Sequence, residues 1–231
     1  MVDPIAFTDE VARSLKRVMP DGFGRQRRKW TRTRDGLTSA VAVERNPASF
    51  NGLGELVEVT ATVQLESGLG TGYWRAFGQQ RGPTGWWLWD PSNITERDRI
   101  VASVSDAVTT TALPWIEERA TRRGYLDNLH GRSPTTRIEG HLAFGNDAEL
   151  ADLLAEGPMH APSADSQSRR LCVEHAEAAL RAYRSLGVYP PEVWMDHAKA
   201  ILKAYRGRPP KSDRELFERL KSLVSHFSEK S

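Results

Sequence analysis

Nearly perfect alternation of apolar and polar residues runs from residue 55 to residue 66. Every second position there is apolar: Val57, Val59, Ala61, Val63 and Leu65. Successive side chains of a strand point to opposite faces, so this period of two predicts a half-buried strand of an antiparallel sheet. Similar patterns predict a partner strand over residues 37–45, opened by a turn at Asp35-Gly36, and a further strand over residues 86–89.

Elsewhere the apolar residues recur about every 3.6 positions, which is the period of an amphipathic helix. In the first predicted helix Asp3 can act as N-cap, Pro4 suits the first helical position, and Phe7, Val11, Leu15 and Val18 share one stripe. Beyond Pro91 the pattern predicts helices over about residues 95–108, 114–129, 137–144, 147–156, 168–186, 191–206 and 213–228.

These elements predict an α+β fold. It consists of an N-terminal helix, an antiparallel sheet of three to five strands, then helices with a C-terminal helical extension. Residues 157–168 are rich in Gly, Pro, Ser and Ala, a composition typical of a linker. We therefore expect an α+β domain over residues 1–156, a linker over 157–168 and a helical part over 169–231.

Composition and charge narrow the possible functions only slightly. A net charge of +2 over 231 residues does not by itself predict nucleic-acid binding. The single cysteine, Cys172, excludes an internal disulfide and favours a reducing compartment. The chain has no apolar window of about 18 residues and no basic-then-apolar N-terminus, so we expect a cytoplasmic protein with no membrane span.

Several short motifs, in this order and spacing, are similar to a known bacterial family. They are Gly22-Phe23 before a basic run into Trp30 and Arg32, the alternating sheet, the pair Trp86-Trp87, and Ala112-Leu113-Pro114-Trp115 at the end of a helix. Over about residues 5–155 the chain resembles the family called domain of unknown function 4304. The resemblance implies an α+β domain followed by helices, and it implies no activity and no catalytic residues. The chain departs from the family pattern in its Gly-rich 68–72 stretch and its C-terminal extension.

Tryptophans and arginines concentrate around residues 73–89, in an otherwise polar part of the chain. Large aromatic side chains either fill a core or present contact area to a partner, and both alternatives are open here. If they are exposed, they predict a protein-binding surface on the sheet made of Trp74, Arg75, Arg81, Trp86, Trp87 and Trp89.

A run of positive charge precedes the first long strand. Its candidate anion-binding residues are Arg25, Arg27, Arg28, Lys29 and Arg32, with Trp30 among them and Arg34 at the end. In an extended strand Arg25, Arg27 and Lys29 would share one face. Cations beside an aromatic stacking surface are typical of single-stranded nucleic-acid binders. Alternatively, Trp30 packs in the core and the charges form a solvated edge that discourages strand addition.

No other pattern predicts a catalytic or metal site. Gly68 to Gly72 lacks the continuation of a phosphate loop and predicts a hairpin or bulged loop instead. Cys172, His175 and His197 are too few to predict a zinc site or a nucleophilic pair. We therefore predict no catalytic residue, no metal ligand and no cofactor.

Three functional hypotheses follow, in order of preference. The first is a non-enzymatic module that binds an as yet unidentified protein through the aromatic and arginine-bearing surface. The second is binding of an anion or a single-stranded nucleic acid by the basic segment 25–34. The third is an enzyme of unrecognised type. The oligomeric state is not predicted by the sequence.

Overall fold

The structure is a computed structural model that describes residues 4–46, 56–66, 70–76, 97–158, 166–204, 211 and 213–229. The chain divides into two compact units, Met1–Asn128 and Leu129–Ser231. Within these described ranges no helix combines the length and the apolar character needed to cross a membrane. The predicted α+β class is confirmed: an N-terminal helix, an antiparallel sheet and then helices.

Over the residues that the structure describes, the sheet of the first unit has five antiparallel strands in sequence order. They are β1 (Gly24–Gln26), β2 (Lys29–Arg34), β3 (Leu37–Asn46), β4 (Leu56–Leu65) and β5 (Gly70–Ala76). The turn predicted at Asp35-Gly36 is confirmed, because Arg34 pairs with Leu37 and both turn residues have positive φ, +53° and +77°. These angles suit a two-residue hairpin turn, whose twist matches that of the flanking strands.

The predicted strands over residues 37–45 and 55–66 are confirmed as β3 and β4. The sequence predicts a hairpin or bulged loop over Gly68 to Gly72. Strands β4 and β5 do pair antiparallel, with a register shift between Thr62 and Gln64. Residues 70–72 belong to β5, however, and residues 67–69 lie outside the described residues. The strand predicted over residues 86–89 lies outside the described residues.

The described part of the first unit contains four helices. They are α1 (Pro4–Ser14), which continues as a 3₁₀ turn over Leu15–Arg17, then α2 (Arg97–Ala107), α3 (Leu113–Arg119) and α4 (Arg122–Asp127). A π-helical segment, Val108–Ala112, joins α2 to α3. Pro114 follows it and cannot donate a backbone hydrogen bond to the preceding turn, a common cause of such helix distortions.

The core of the first unit forms where α1 packs on β3 and α3 packs on β4. Of the stripe predicted from the sequence, Phe7, Val11 and Leu15 are fully buried, whereas Val18 follows the 3₁₀ turn and is only half-buried. The alternating apolar positions of β4 are buried as well, which leaves its threonines and glutamine half-buried on the other face. Hydrophobic burial of this kind is the main force that fixes α1 on the sheet.

The second unit is helical. Its described residues form α5 (Pro134–Phe144), α6 (Asp147–Ala155), α7 (Ser166–Leu186), α8 (Glu192–Ala204) and α9 (Arg214–Ser228). Trp194 lies at the centre of its core, 1% exposed, and its indole N–H donates to the carbonyl of Leu154 at 3.0 Å. Helices α7, α8 and α9 confirm the three helices predicted for this part of the chain. Their ends lie within a few residues of the predicted ends, which were 168–186, 191–206 and 213–228.

The boundary between the units differs from the predicted one. The sequence favoured a break at 157–168, whereas the units divide after Asn128. Helices α5 and α6 belong with the C-terminal helices because Ile138, Leu150 and Leu154 join the same hydrophobic cluster as Leu180 and Trp194. The composition of residues 157–168 identified a polar connecting segment. It did not indicate that α5 and α6 pack their apolar faces against the helices that follow that segment.

A chain of alternating charges links three helices of the second unit. Arg181 of α7 donates to Glu139 of α5 and lies 3.5 Å from Glu177 of its own helix, and Arg219 of α9 donates to Glu177 at 3.2 Å. Burial raises the pKa of Glu177 above its ordinary value, against the opposing charge and hydrogen bond of Arg219. The buried environment of Glu177 therefore disfavours the charged form of its carboxyl group.

Candidate anion-binding cleft

A cleft of about 780 Å³ lies where the tip of the β1–β2 hairpin meets α1 and the C-terminal half of β3. Two carboxylates, Asp9 and Glu44, face five cations, so the lining carries a formal excess of three positive charges. The cations are Arg13, Arg25, Arg27, Arg28 and Lys29. Four of the five candidate anion-binding residues named from the sequence therefore line one cleft.

Four of the five cations lie on the β1–β2 hairpin, whose turn falls within the basic segment 25–34 itself. Gln26 pairs with Lys29, so Arg27 and Arg28 form a two-residue turn, and the backbone N–H of Val43 donates to the Arg28 carbonyl at 2.9 Å. Arg27 adopts a left-handed φ of +55°, which costs a non-glycine residue about 1–2 kcal/mol. Strained positions of this kind are concentrated at functional sites, so the turn is a reason to examine the cleft.

One cation of the cleft is paired within the unit. Arg28 donates its Nε–H to the carboxylate of Asp9, and the two side chains are 30% and 44% exposed. This hydrogen bond is the main reason why the pKa of Asp9 lies below its ordinary value, and the charges of Arg28, Arg13 and Arg25 lower it further. Asp9 is therefore a carboxylate at neutral pH and ties α1 to the hairpin tip.

The other four cations of the cleft, Arg13, Arg25, Arg27 and Lys29, are exposed. Within the part of the chain that the structure describes, none of these four forms an ion pair. Like charges at short range repel one another, and an anion between them relieves that repulsion. The cleft thus presents four cationic groups that no ion pair neutralises, within a lining that has an excess of positive charge.

Trp30 does not offer a stacking surface beside these cations. Its side chain is 6% exposed, and its indole N–H donates to the carbonyl of Ala12 in α1 at 3.0 Å. The side chain thus lies on the face of the sheet that α1 covers. Of the two alternatives drawn from the sequence, the one that placed Trp30 in the core is confirmed, and the stacking platform is wrong.

Arg32 lies away from the cleft. Its Nη2 donates to Glu117 of α3 at 2.7 Å, and its guanidinium carbon lies 4.7 Å from the centre of the Phe23 ring. Its side chain is only 15% exposed. We therefore leave Arg32 out of the proposed site and assign it to the attachment of α3 to the sheet.

The predicted protein-binding surface is described only in part. Trp74 and Arg75 lie in β5, where they pair with Ala61 and Thr60 of β4. Arg81, Trp86, Trp87 and Trp89 lie outside the described residues. This surface stays a prediction.

Three charged residues of the cleft are not among the candidates drawn from the sequence: Asp9, Arg13 and Glu44. Asp9 and Arg13 are four residues apart on the predicted helix and therefore neighbours on its surface, a signal that the sequence did contain. The packing of α1 beside the hairpin tip has no local signal. It results from the burial of Phe7, Val11 and Leu15, which are brought to the sheet by long-range contacts.

The remaining candidates from the sequence lie in the second unit. Cys172 and His175 are buried in its hydrophobic core, and the His175 ring packs edge-on against Trp194 at 5.1 Å between centroids. Across the described ranges, no group of three or more His, Cys, Asp or Glu side chains is arranged to hold a metal ion. These residues have the surroundings of core side chains.

We compared the chain with protein-family models, with curated proteins and with solved structures, and none of them matched. The resemblance to domain of unknown function 4304 stays a prediction. We therefore infer function from the residues of the cleft.

Proposed function

We propose that this protein binds phosphate-bearing anions in the cleft between α1 and the β1–β2 hairpin. The observation that supports this proposal is the set of four exposed cations without ion pairs, Arg13, Arg25, Arg27 and Lys29, around one cleft of about 780 Å³. A cleft whose lining has an excess of one sign of charge concentrates ligands of the opposite sign. The second hypothesis from the sequence, binding by the basic segment, thereby becomes the leading one.

Guanidinium groups favour phosphate as the anion. Arginine presents its N–H donors as a planar fork that matches two oxygens of a phosphate or carboxylate, and four of the five cations are arginines. A phosphate chain also carries a charge at every unit, which suits a site with several separated cations. A single carboxylate would neutralise only one of them.

Charge reversal at the cleft tests the proposal. We expect the double variant Arg27→Glu/Lys29→Glu to bind a labelled single-stranded oligothymidylate at least about tenfold more weakly at low salt, a change equivalent to roughly 1.4 kcal/mol. Fluorescence anisotropy measures it. For the unmodified protein, four neutralised phosphates predict that log affinity falls with log salt with a slope of about −3, from roughly −0.7 per phosphate.

The matched control is Arg34→Glu/Arg122→Glu. It changes the net charge of the unit by the same amount, but Arg34 and Arg122 are exposed and lie outside the cleft lining. Its affinity should stay within about twofold of that of the unmodified protein at moderate salt, where charges beyond a Debye length of about 10 Å are screened. Unchanged binding by the cleft variant at low salt would rule the proposal out. Equal losses in both variants would assign the binding to net charge and not to the cleft.

A further inference from the structure

The cations of the cleft lie on both faces of the sheet. Residues directly opposite each other in an antiparallel pair share a face. Arg25 is opposite Trp30, whose indole contacts α1, so Arg25 lies on the helix-covered face together with Arg13 of α1. Lys29 is opposite Ala42, one position out of phase with Trp30, and therefore lies on the other face.

Arg27 connects these two groups of charge because it occupies the turn between β1 and β2. The positive charge thus continues from one face, around the hairpin tip, to the opposite face. A compact anion can be held by the cations of one face and the tip. A chain of linked phosphates can follow the rim of the sheet and contact the cations of both faces.

The lining also indicates which part of a nucleotide chain it could recognise. Its uncharged side chains are Gln26, Ala42 and Val43, and none of the residues that line the described cleft is aromatic. The nearby indole of Trp30 is buried and donates its hydrogen bond to Ala12. Base stacking on aromatic rings is the usual source of base-dependent affinity in single-strand binders.

We infer that the ligand of the cleft is an extended chain of phosphates, recognised through its backbone charges and independently of any base. This inference rests on the proposed function and specifies its ligand class. The shared chemistry is a row of linked phosphates, present in both a nucleic-acid backbone and an inorganic polyphosphate. The cations of the two faces should then contribute to binding of a long chain together.

Competition against a labelled oligothymidylate of about a dozen nucleotides, within the site sizes of roughly 4–16 nucleotides known for such binders, tests the inference. The unlabelled competitors are inorganic phosphate, tripolyphosphate, a polyphosphate of similar length, the same oligonucleotide, and an abasic oligonucleotide of equal length. We expect the abasic and the base-bearing chains to compete within about twofold of each other, since stacking of even one base would separate them by about fivefold or more. The polyphosphate arm reports whether sugar is required.

Neutral variants on the two faces provide the second measurement. Arg25→Gln and Lys29→Gln each remove one exposed cation, and we expect each to weaken the long chains by a similar factor and to lower the salt slope by about 0.7. Tripolyphosphate should lose affinity in one of these variants more than in the other, because it cannot contact both faces. Arg34→Gln, from the same basic segment but outside the cleft lining, is the control.

The outcomes separate this inference from the proposed function. If tripolyphosphate or inorganic phosphate binds as tightly as the long chains, the cleft binds anions but the extended-chain inference is wrong. If the base-bearing chain binds at least about fivefold more tightly than the abasic one, recognition involves bases and the inference is wrong in that respect. If none of the probes binds at low salt, both proposals fail.

Discussion

Removal of the Asp9 charge should tighten the binding of anions. Of the five cations that line the described cleft, Arg28 alone forms an ion pair, and its partner is Asp9. An incoming phosphate must compete with this carboxylate for Arg28 and is repelled by its charge. The substitution Asp9→Asn keeps the size of the side chain, removes the charge and leaves Arg28 available.

Coulomb's law gives the size of the effect. Two unit charges about 4 Å apart in water interact by about 1 kcal/mol, and at about 6 Å by roughly 0.7 kcal/mol. The lower value corresponds to about a threefold change in affinity for each phosphate charge near Asp9, so we expect a gain of about three- to tenfold at low salt. The loss of the partly exposed ion pair should reduce the free energy of unfolding by no more than about 1 kcal/mol.

The pKa of Asp9 fixes the pH range of the assay. Its pKa in the folded protein is lowered below 3.8, mainly by the hydrogen bond from Arg28. Such a group contributes stability that is present above its unfolded pKa and is lost as the pH falls through the folded pKa. Asp9 is consequently charged throughout pH 5–8. Within that range, a change of about one pH unit should not alter the difference in affinity between the unmodified protein and Asp9→Asn.

Anisotropy titrations with the labelled oligothymidylate at two salt concentrations measure this prediction. The matched control is Asp35→Asn, because Asp35 also pairs with an arginine, Arg34 at 3.3 Å, and lies outside the cleft lining. Its effect on affinity should be less than about twofold at moderate salt. Weaker binding by Asp9→Asn would refute the reasoning, since it would mean that Asp9 helps the ligand by orienting Arg28.

Three further predictions test the turn, the core and the buried charge. Arg27→Asn should weaken oligonucleotide binding. Its free energy of unfolding should stay equal or rise by up to about 1 kcal/mol, because asparagine tolerates a left-handed φ better than arginine. A lower free energy of unfolding in a denaturant titration would contradict this. Trp30→Phe should lower the free energy of unfolding by about 1–3 kcal/mol, because it leaves the Ala12 carbonyl without its indole donor. The affinity for the oligothymidylate should not change. A changed affinity would place the Trp30 ring in the site. Burial raises the pKa of Glu177, so the stability that this group contributes is fully present below the unfolded pKa of about 4.5 and is lost as pH rises through the folded pKa. Unfolding measured at several pH values should therefore show the following trend. The free energy of unfolding of the unmodified protein rises relative to that of Glu177→Gln as the pH falls from about 7 toward 4.5.

Local periodicity was sufficient to predict most of the elements. The alternation around Val59 and Val63 predicted β4, and the stripe of Phe7, Val11 and Leu15 predicted the buried face of α1. Both patterns result from a single requirement, burial of one face, which acts on residues close in sequence. The Asp35-Gly36 turn was predictable for a similar reason, because these two residue types accept positive φ at low cost.

The division into units was not predictable in the same way. Helices α5 and α6 precede the polar segment that composition marked as a linker, yet Leu150 and Leu154 pack with Trp194 beyond it. The hydrogen bond from the Trp194 indole to the Leu154 carbonyl joins residues 40 positions apart. A pattern within one helix shows that it has an apolar face, but not which other helix covers that face.

The hairpin tip shows why the site itself was only partly predictable. Arg27 and Arg28 are not typical residues of a two-residue turn, so the basic run was interpreted as one continuous strand, in which Arg25 and Lys29 share a face. Because the chain reverses between them, Arg25 instead lies on the α1 side with Trp30, and Lys29 lies on the other. The turn therefore removes the predicted aromatic platform and, by the same geometry, distributes the cations around the rim of the sheet. That distribution favours a chain of phosphates over a single anion, and it depends on a backbone conformation that glycine or asparagine would adopt more easily than arginine.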